Sequence, residues 1–389
     1  MEVLTTLYQS LYGLAPDGIV PITGSASNRS YYRLSSSAGS CIGVVGLDRA
    51  ENNAFLTIAG HFRSKGINVP EILAVSEDGM RYIQEDLGSD ILYDMYARGG
   101  MTKDAEALLC SAMAALPRMQ IEGAEGLDFS VCYPQPEFDR RMVMFDLNYF
   151  KYCFLKPSGL EFNEVLLQDD LERFADDLLS CSSDFPVFLY RDFNPRNVMV
   201  RDGQPWFIDF QGGRKGPLHY DVASFIWHAR SGFTPDVREK MLQSYLDALS
   251  VHVEYDRDDF MEKLKLFVLF RTLQVLGAYG FRGWVEQKAN FVVSIPQTIR
   301  SLAHLLAGES CGDFMAVRTR YPYMCRILDD MTRLPGVDRS GSDDGCLNVT
   351  VTSFSFKKGI PRDPSGNGGG SLPSFSYTGR YEIEMDSQT

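Results

Sequence analysis

The chain has 389 residues, 44% hydrophobic and 12% aromatic, which is apolar material for more than one average domain. Its formal net charge of −13 excludes a broad electrostatic nucleic-acid surface, which needs clustered Lys and Arg, and makes an anionic nucleotide dependent on a bridging divalent cation. The eight cysteines stand singly, with no C-x-x-C spacing to grip zinc or form a redox pair, so they read as buried or free thiols and point to a reducing cytoplasm.

At the start, "MEVLTTLYQSLYGLAPDG" has apolar residues at helical spacing and lacks the cationic start and apolar run of a signal peptide. No later segment reaches eighteen uninterrupted apolar residues, so no membrane span is expected. The small-residue loop "TGSASN" leads into the strands "SYYRL" and "SCIGVVGL", and the helix "NNAFLTIAGHFRSKG" follows, stopping at Gly66 with Lys65 in its last turn. Two more strands flank a turn at Asp78-Gly79 in "INVPEILAVSEDGMRYIQEDLG". From residue 89 to 330 long amphipathic helices take over, among them "DAEALLCSAMAALPRM", "DVREKMLQSYLDALS" and "DFMEKLKLFVLFRTLQVLGAYGF". The expected fold class is therefore α+β: a small β-rich N-terminal lobe over 1–88 and a larger, mainly helical C-terminal lobe over 89–330. A ligand site is expected where the two meet. Residues 331–389 turn to Gly, Ser, Pro and Asp around one alternating strand, "LNVTVTSFSF", and read as a linker and a poorly ordered tail.

One stretch interrupts the helices: "VFLYRDFNPRNVMVRDGQPWFIDFQGG", residues 187–213. Read as strand, loop, hairpin and strand end, it brings Asp192, Asn197 and Asp209 toward one point. A carboxylate that takes a hydroxyl proton, beside an Asn and an Asp that hold Mg²⁺, is what phosphoryl transfer from ATP requires. The protein-kinase signature is H-R-D-x-x-x-x-N and then D-F-G; this chain reads Y-R-D-F-N-P-R-N and, after eleven further residues, D-F-Q. The spacing and the three functional residues fit, while Tyr190 stands for the His and Gln211 for the Gly. Against this stands the plainer reading, in which Asp192 and Asn197 cap turns and Asp209 ends a strand.

With "TGSASNRSYYRL", "YIQEDLG", "YRDFNPRNVMV", "WFIDFQGGRKGPLHYDVASFI" and "LQVLGAYGFRGW", this stretch resembles the aminoglycoside phosphotransferase superfamily, which shares the bilobal protein-kinase-like fold. Within it the chain is similar to bacterial kinases of the anomeric hydroxyl of N-acetylmuramate and N-acetylglucosamine. The resemblance covers about residues 20 to 305. It implies that Asp192 is the catalytic base, that Asn197 and Asp209 ligate magnesium, and that Gln84, Glu85 and Leu87 form the hinge that meets the adenine of ATP. Ser25, Ser27 and Asn28 would cover the phosphates, and Asp221 would brace the catalytic loop. One departure stands out. The third-strand lysine of kinases has no counterpart in "SCIGVVGLDRA", and Lys65 comes too late. Arg33, Arg49, Arg196 and Arg214 are candidates for the missing charge, each of them equally readable as a surface residue, and Glu51 for a ligand or orienting partner.

The tail stretch "VTVTSFSFKKGIPRDPSGNGGG" resembles the opening of the C-terminal domain of the RNase adapter RapZ, with Lys357 and Lys358 beside a Gly-rich loop, but only that opening is recognisable. The expected activity is an ATP- and magnesium-dependent kinase of a small sugar, acting on neither membrane nor nucleic acid. The alternatives are a pseudokinase that senses nucleotide and an RNA- or metabolite-binding regulator built on a degenerate kinase body. Arg271 and Arg282 are candidate contacts to the acceptor.

Overall fold

The computed structural model describes residues 1–22, 29–228 and 230–334. Ser25, Ser27, Asn28, the RapZ-like strand and the lysines beside it lie outside the described residues. The fold is α+β and protein-kinase-like, with a β-sheet lobe preceding a mostly helical one.

The N-terminal part runs α1 (Glu2–Tyr12), β1 (Gly18–Ile22), β2 (Ser30–Ser36), β3 (Gly39–Val45), α2 (Arg49–Ser64), β4 (Ile72–Val75) and β5 (Arg81–Glu85). All its strand pairs are antiparallel, in the spatial order β1-β2-β3-β5-β4. Strand β1 is not legible as a strand in "PDGIVPIT", because Pro21 interrupts the pattern. It is tolerated since β1 lies at the sheet edge and pairs with β2 alone. Helix α2 begins earlier than its apolar periodicity suggests, because Asp48 caps it by accepting from the amides of Ala50 (2.8 Å) and Glu51 (3.2 Å).

Alternation along the strands divides the sheet into two apolar faces. Leu34, Cys41 and Ile83 pack against Leu4 and Tyr8 of α1. A Cβ on Gly43 would come 2.6 Å from Leu34 Cδ1 of β2 and 3.0 Å from Leu4 Cδ1 of α1, so only a glycine leaves room for both leucines. Tyr82, opposite Val44 on β3, faces the other way and stacks on Phe55 of α2 at 5.5 Å. The same helix sends Phe62 edge-on to Phe188 (4.9 Å) and places Phe55 in a stack with Phe210 (4.9 Å).

The remaining elements are α3 (Leu92–Ala97), α4 (Lys103–Ile121), α5 (Arg140–Phe150), α6 (Glu164–Ser180), β6 (Phe188–Leu189), β7 (Val198–Arg201), β8 (Gln204–Phe207), β9 (Arg214–Lys215), α7 (His219–Ile226), α8 (Pro235–Leu249), α9 (Arg257–Gly280), α10 (Ala289–Val292), α11 (Ile295–Leu306), α12 (Met315–Arg320) and α13 (Pro322–Met331). The chain divides into two compact units. The first comprises Met1–Val143 and Ala175–Arg271, and the second Met144–Phe174 and the chain from Thr272 onward. In the first, α4 and α8 pack together, each begun by a threonine cap, Thr102 and Thr234. In the second, the glycines of "LGAYG" let α9 lie against backbone: a Cβ on Gly277 would come 2.8 Å from Phe150 N and one on Gly280 2.2 Å from Cys153 O.

Residues Arg257–Val285 form a helix that is long and apolar enough to cross a membrane by length and composition, although the uninterrupted-run criterion passes over it. Most of its apolar window is buried inside the structure, as in the core helix of a folded domain. Cys41, Cys110, Cys132, Cys153, Cys181 and Cys325 are unbridged thiols, and burial pushes Cys41 up to about 12, leaving it protonated and unreactive. Phe62 of α2 is fully buried and packs against Phe188 of β6 and against Phe210. Phe62→Ala is expected to lower stability by about 3–5 kcal/mol in a denaturant titration.

Candidate active site

Asp192, Asn197, Asp209 and Asp221, with the residues that bond to them, belong to the first unit. Strand β6 pairs with β9, and β7 pairs with β8 through a tight turn whose Asp202 and Gly203 both have positive φ, as a two-residue Asp-Gly hairpin requires. Asp192 follows β6, Asn197 closes the short helical turn Pro195–Asn197, and Asp209 comes two residues after β8 ends.

The three are brought together. Asn197 Nδ2 donates to the carbonyl oxygen of Asp192 (2.8 Å) and lies 3.4 Å from Asp209 Oδ2. The amide of Ile208 donates to the carbonyl of Asn197 at 3.1 Å, closing the hairpin onto the loop. Asp192 is exposed, whereas Asp209 is half-buried; burial and the neighbouring Asp192 carboxylate raise its pKa above the ordinary range. Two groups oppose that rise: Gln211 Nε2, which donates to Asp209 Oδ1 at 2.8 Å, and the positive charge of Arg29.

Besides Asp202 in the hairpin turn, two non-glycine residues here sit in the left-handed region, Arg191 (φ 77°) and Asp209 (φ 67°). Each such conformation costs on the order of 1–3 kcal/mol and persists only where the surroundings enforce it. Asp221, fully buried in the first turn of α7, supplies the enforcement at Arg191. Its Oδ2 accepts from Tyr190 N (2.7 Å) and its Oδ1 from Arg191 N (2.9 Å). Burial pushes this carboxyl up to about 7. Tyr190, where the signature has His, is buried too, and its hydroxyl donates to the carbonyl of Ile208, tying the loop before Asp192 to the residue before Asp209.

At the other end, Gln84 and Glu85 finish β5. The Glu85 amide is committed to the Glu71 carbonyl (2.8 Å) and its carboxylate pairs with Arg201, so neither is open to a ligand. Gln84 is buried with its Oε1 unsatisfied, and Leu87 is nearly buried beyond Asp86. Asp86 holds this turn by accepting from Arg33 at 2.7 and 3.0 Å and from Ser40 at 2.5 Å. Arg33 is thereby anchored. Arg49 is exposed, Arg196 lies 3.6 Å above the Tyr93 ring, and Arg214 is fully buried with its guanidinium donating to the Gly212 carbonyl. Arg271 braces α7 instead, donating to Tyr220 Oη (2.9 Å) and Ser224 Oγ (3.0 Å); Arg282, in the second unit, lies 5.6 Å over the Phe291 ring.

An arginine that sequence reasoning passes over occupies the place beside α2. Arg29, 5% exposed, lies 3.3 Å from the Glu51 carboxylate and donates to the Glu51 carbonyl at 3.1 Å. The only sequence signal was Glu51 in the first turn of the helix after β3; the burial of Arg29 has no local signature.

As for a metal, no group of three His, Cys, Asp or Glu side chains gathers among the described residues. The oxygens at hand are the Asp209 carboxylate, the side-chain amide oxygen of Asn197 and the buried, unsatisfied Gln211 Oε1. Such hard donors suit a magnesium ion that takes its remaining ligands from water and phosphates.

Comparison with known proteins gives the family. The description "Phosphotransferase enzyme family" matches residues 18–259, which span the sheet, the loop that carries Asp192 and Asn197, and the hairpin. The chain belongs to the phosphotransferase enzyme family. It is similar to the N-acetylmuramate/N-acetylglucosamine kinase of Pseudomonas aeruginosa, 24% identical over 298 residues that cover 75% of this chain and 85% of that protein. The Neisseria meningitidis protein of the same name is 26% identical over 289 residues, covering 71% and 82%. Among solved structures, an amicoumacin kinase superposes with a TM-score of 0.58 at 11% identity, covering 81% of this chain and 96% of that one, a likeness of fold. A second phosphotransferase structure, from Ralstonia eutropha, gives 0.52 at 11% identity over 84% and 97%.

Two outcomes follow for this member of the family. Tyr190→Phe removes the bond to Ile208 and leaves a half-buried carbonyl short of a donor, so a loss of about 1–3 kcal/mol is expected by denaturation. The folded chain also holds a proton on Asp221 that an unfolded carboxyl, near 3.9, releases. That contribution is fully present below about pH 4 and is lost as pH rises through about 7; Asp221→Asn flattens this part of the stability curve in melts from pH 4 to 8.

Proposed function

We propose that this phosphotransferase moves the γ-phosphoryl group of ATP to a hydroxyl of a small amino sugar, with the anomeric hydroxyl of N-acetylglucosamine or N-acetylmuramate as the acceptor. The observation that carries the reading is the Asn197 side chain joining the Asp192 and Asp209 segments within one hydrogen-bonded turn. The names of the Pseudomonas and Neisseria relatives support the choice of acceptor.

In this reading the exposed Asp192 carboxylate accepts the acceptor's hydroxyl proton as that oxygen attacks the γ-phosphorus. The bond from the γ-phosphorus to the bridging oxygen breaks, its electron pair leaves with ADP, and the sugar carries the phosphate. Asn197 and Asp209 would hold magnesium, which supplies the positive charge that offsets the phosphates. For that, Asp209 must be ionised, and the Gln211 amide favours the ionised form. Gln84, Glu85 and Leu87 would line the adenine, with backbone other than the committed Glu85 amide making the contacts. Ser25, Ser27 and Asn28 would close over the phosphates. A nucleotide-dependent regulator without turnover is the second reading, motivated by the absence of a lysine from β3.

The deciding experiment is single-turnover transfer from ATP and magnesium to N-acetylglucosamine, N-acetylmuramate, simple hexoses and an aminoglycoside. Phosphate is expected on the anomeric oxygen of an amino sugar. Asp192→Asn is expected to cut the rate by roughly 10²–10⁴-fold with ATP affinity preserved. ATP binding without transfer to any acceptor would move the assignment to the regulator.

A further inference from the structure

We infer that Arg29, held by Glu51, supplies to the nucleotide's phosphates the fixed positive charge that kinases otherwise carry on the third strand. The inference rests on the phosphotransfer reading above. Strand β3 reads "GSCIGVV", and the position that faces α2 beside Tyr82 is filled by Val44, apolar and buried. The register places Ser30 opposite Val45, so Arg29 enters one strand over, alongside the end of β3. A side chain from that point reaches the start of α2 as a lysine on β3 would, and it meets there the helix's first-turn carboxylate.

The guanidinium is fixed from several sides. Its Nη2 contacts both the side chain and the backbone of Glu51, and it lies 5.5 Å over the Phe55 ring. Its charge acts on Asp209 and on Tyr82, whose hydroxyl is fully buried with no hydrogen-bond partner among the described residues. A buried ion pair contributes little net stability, because desolvation offsets its attraction. Packing alone therefore gives no reason for a charge here. The other arginines considered for the role, Arg33, Arg49, Arg196 and Arg214, are anchored or exposed elsewhere.

The test compares affinities for ATP with magnesium and for adenosine by calorimetry, alongside single-turnover transfer, in the full chain. Arg29→Gln combined with Glu51→Gln removes both charges at nearly constant volume. The expected result is an ATP-to-adenosine affinity ratio lower by at least about tenfold, the size of one charge-assisted hydrogen bond, with adenosine binding unchanged. Arg29→Lys, which keeps the charge, should hold the ratio within about threefold and restore most of the transfer lost in the double variant. If the double variant does not fold, Glu51→Gln alone still reads the pair, and the ratio shifts severalfold. A ratio unchanged in a folded variant, or equal losses for ATP and adenosine, overturns the assignment of Arg29 while parental transfer leaves the kinase reading standing. A parental chain that binds no ATP overturns both.

Discussion

Much of this site depends on one carboxylate that takes no part in the chemistry. Asp221 sits in the first turn of α7, out of water, and accepts the amides of Tyr190 and Arg191. Those two bonds hold Arg191 in a backbone conformation that a non-glycine residue avoids, and that conformation turns Asp192 outward. A buried carboxyl with a raised pKa is costly by itself. The cost is offset because the alternative is two buried amides without an acceptor and a loop that points its aspartate elsewhere.

From Tyr190 the arrangement extends to Asp209 by a second set of bonds. The tyrosine hydroxyl meets the Ile208 carbonyl, the Ile208 amide meets Asn197, and the Asn197 side chain meets the backbone of Asp192. Replacing His by Tyr at the signature position therefore does not dissolve the motif. The larger phenol reaches across to the neighbouring segment and stays neutral, because burial raises its pKa well above 10. Gln211 acts in the same sense on the other side, donating to the carboxylate that would hold a cation.

Which parts were legible in the sequence follows from how local their causes are. Strands β2 to β5 and the helices announce themselves by period, and the Asp192, Asn197 and Asp209 spacing survives two substitutions because loop length, rather than identity, brings the three together. Strand β1 was hidden by Pro21, which only an edge position excuses. The Arg29 and Glu51 pair was hidden for a different reason. Its members are separated by a hairpin, and an arginine next to a Ser- and Gly-rich loop looks solvent-facing until the sheet and α2 close over it. Gln84 and Glu85 do end a strand, as the alternation in "RYIQEDLG" suggests, yet no local pattern shows that Glu71 has already claimed the Glu85 amide.

The aromatic stack between α2 and the residue after Asp209 has a mechanical consequence. Phe55 lies 4.9 Å from Phe210 on one side, and Phe62 touches both Phe210 and Phe188, about two turns further along the same helix. A close-packed interior transmits displacement instead of absorbing it. The helix that carries Glu51 and the segment that carries Asp209 thus behave as one lever: a rotation of α2 that withdrew Glu51 from Arg29 would drag Phe210, and with it the Asp209 carboxylate, out of register with Asn197.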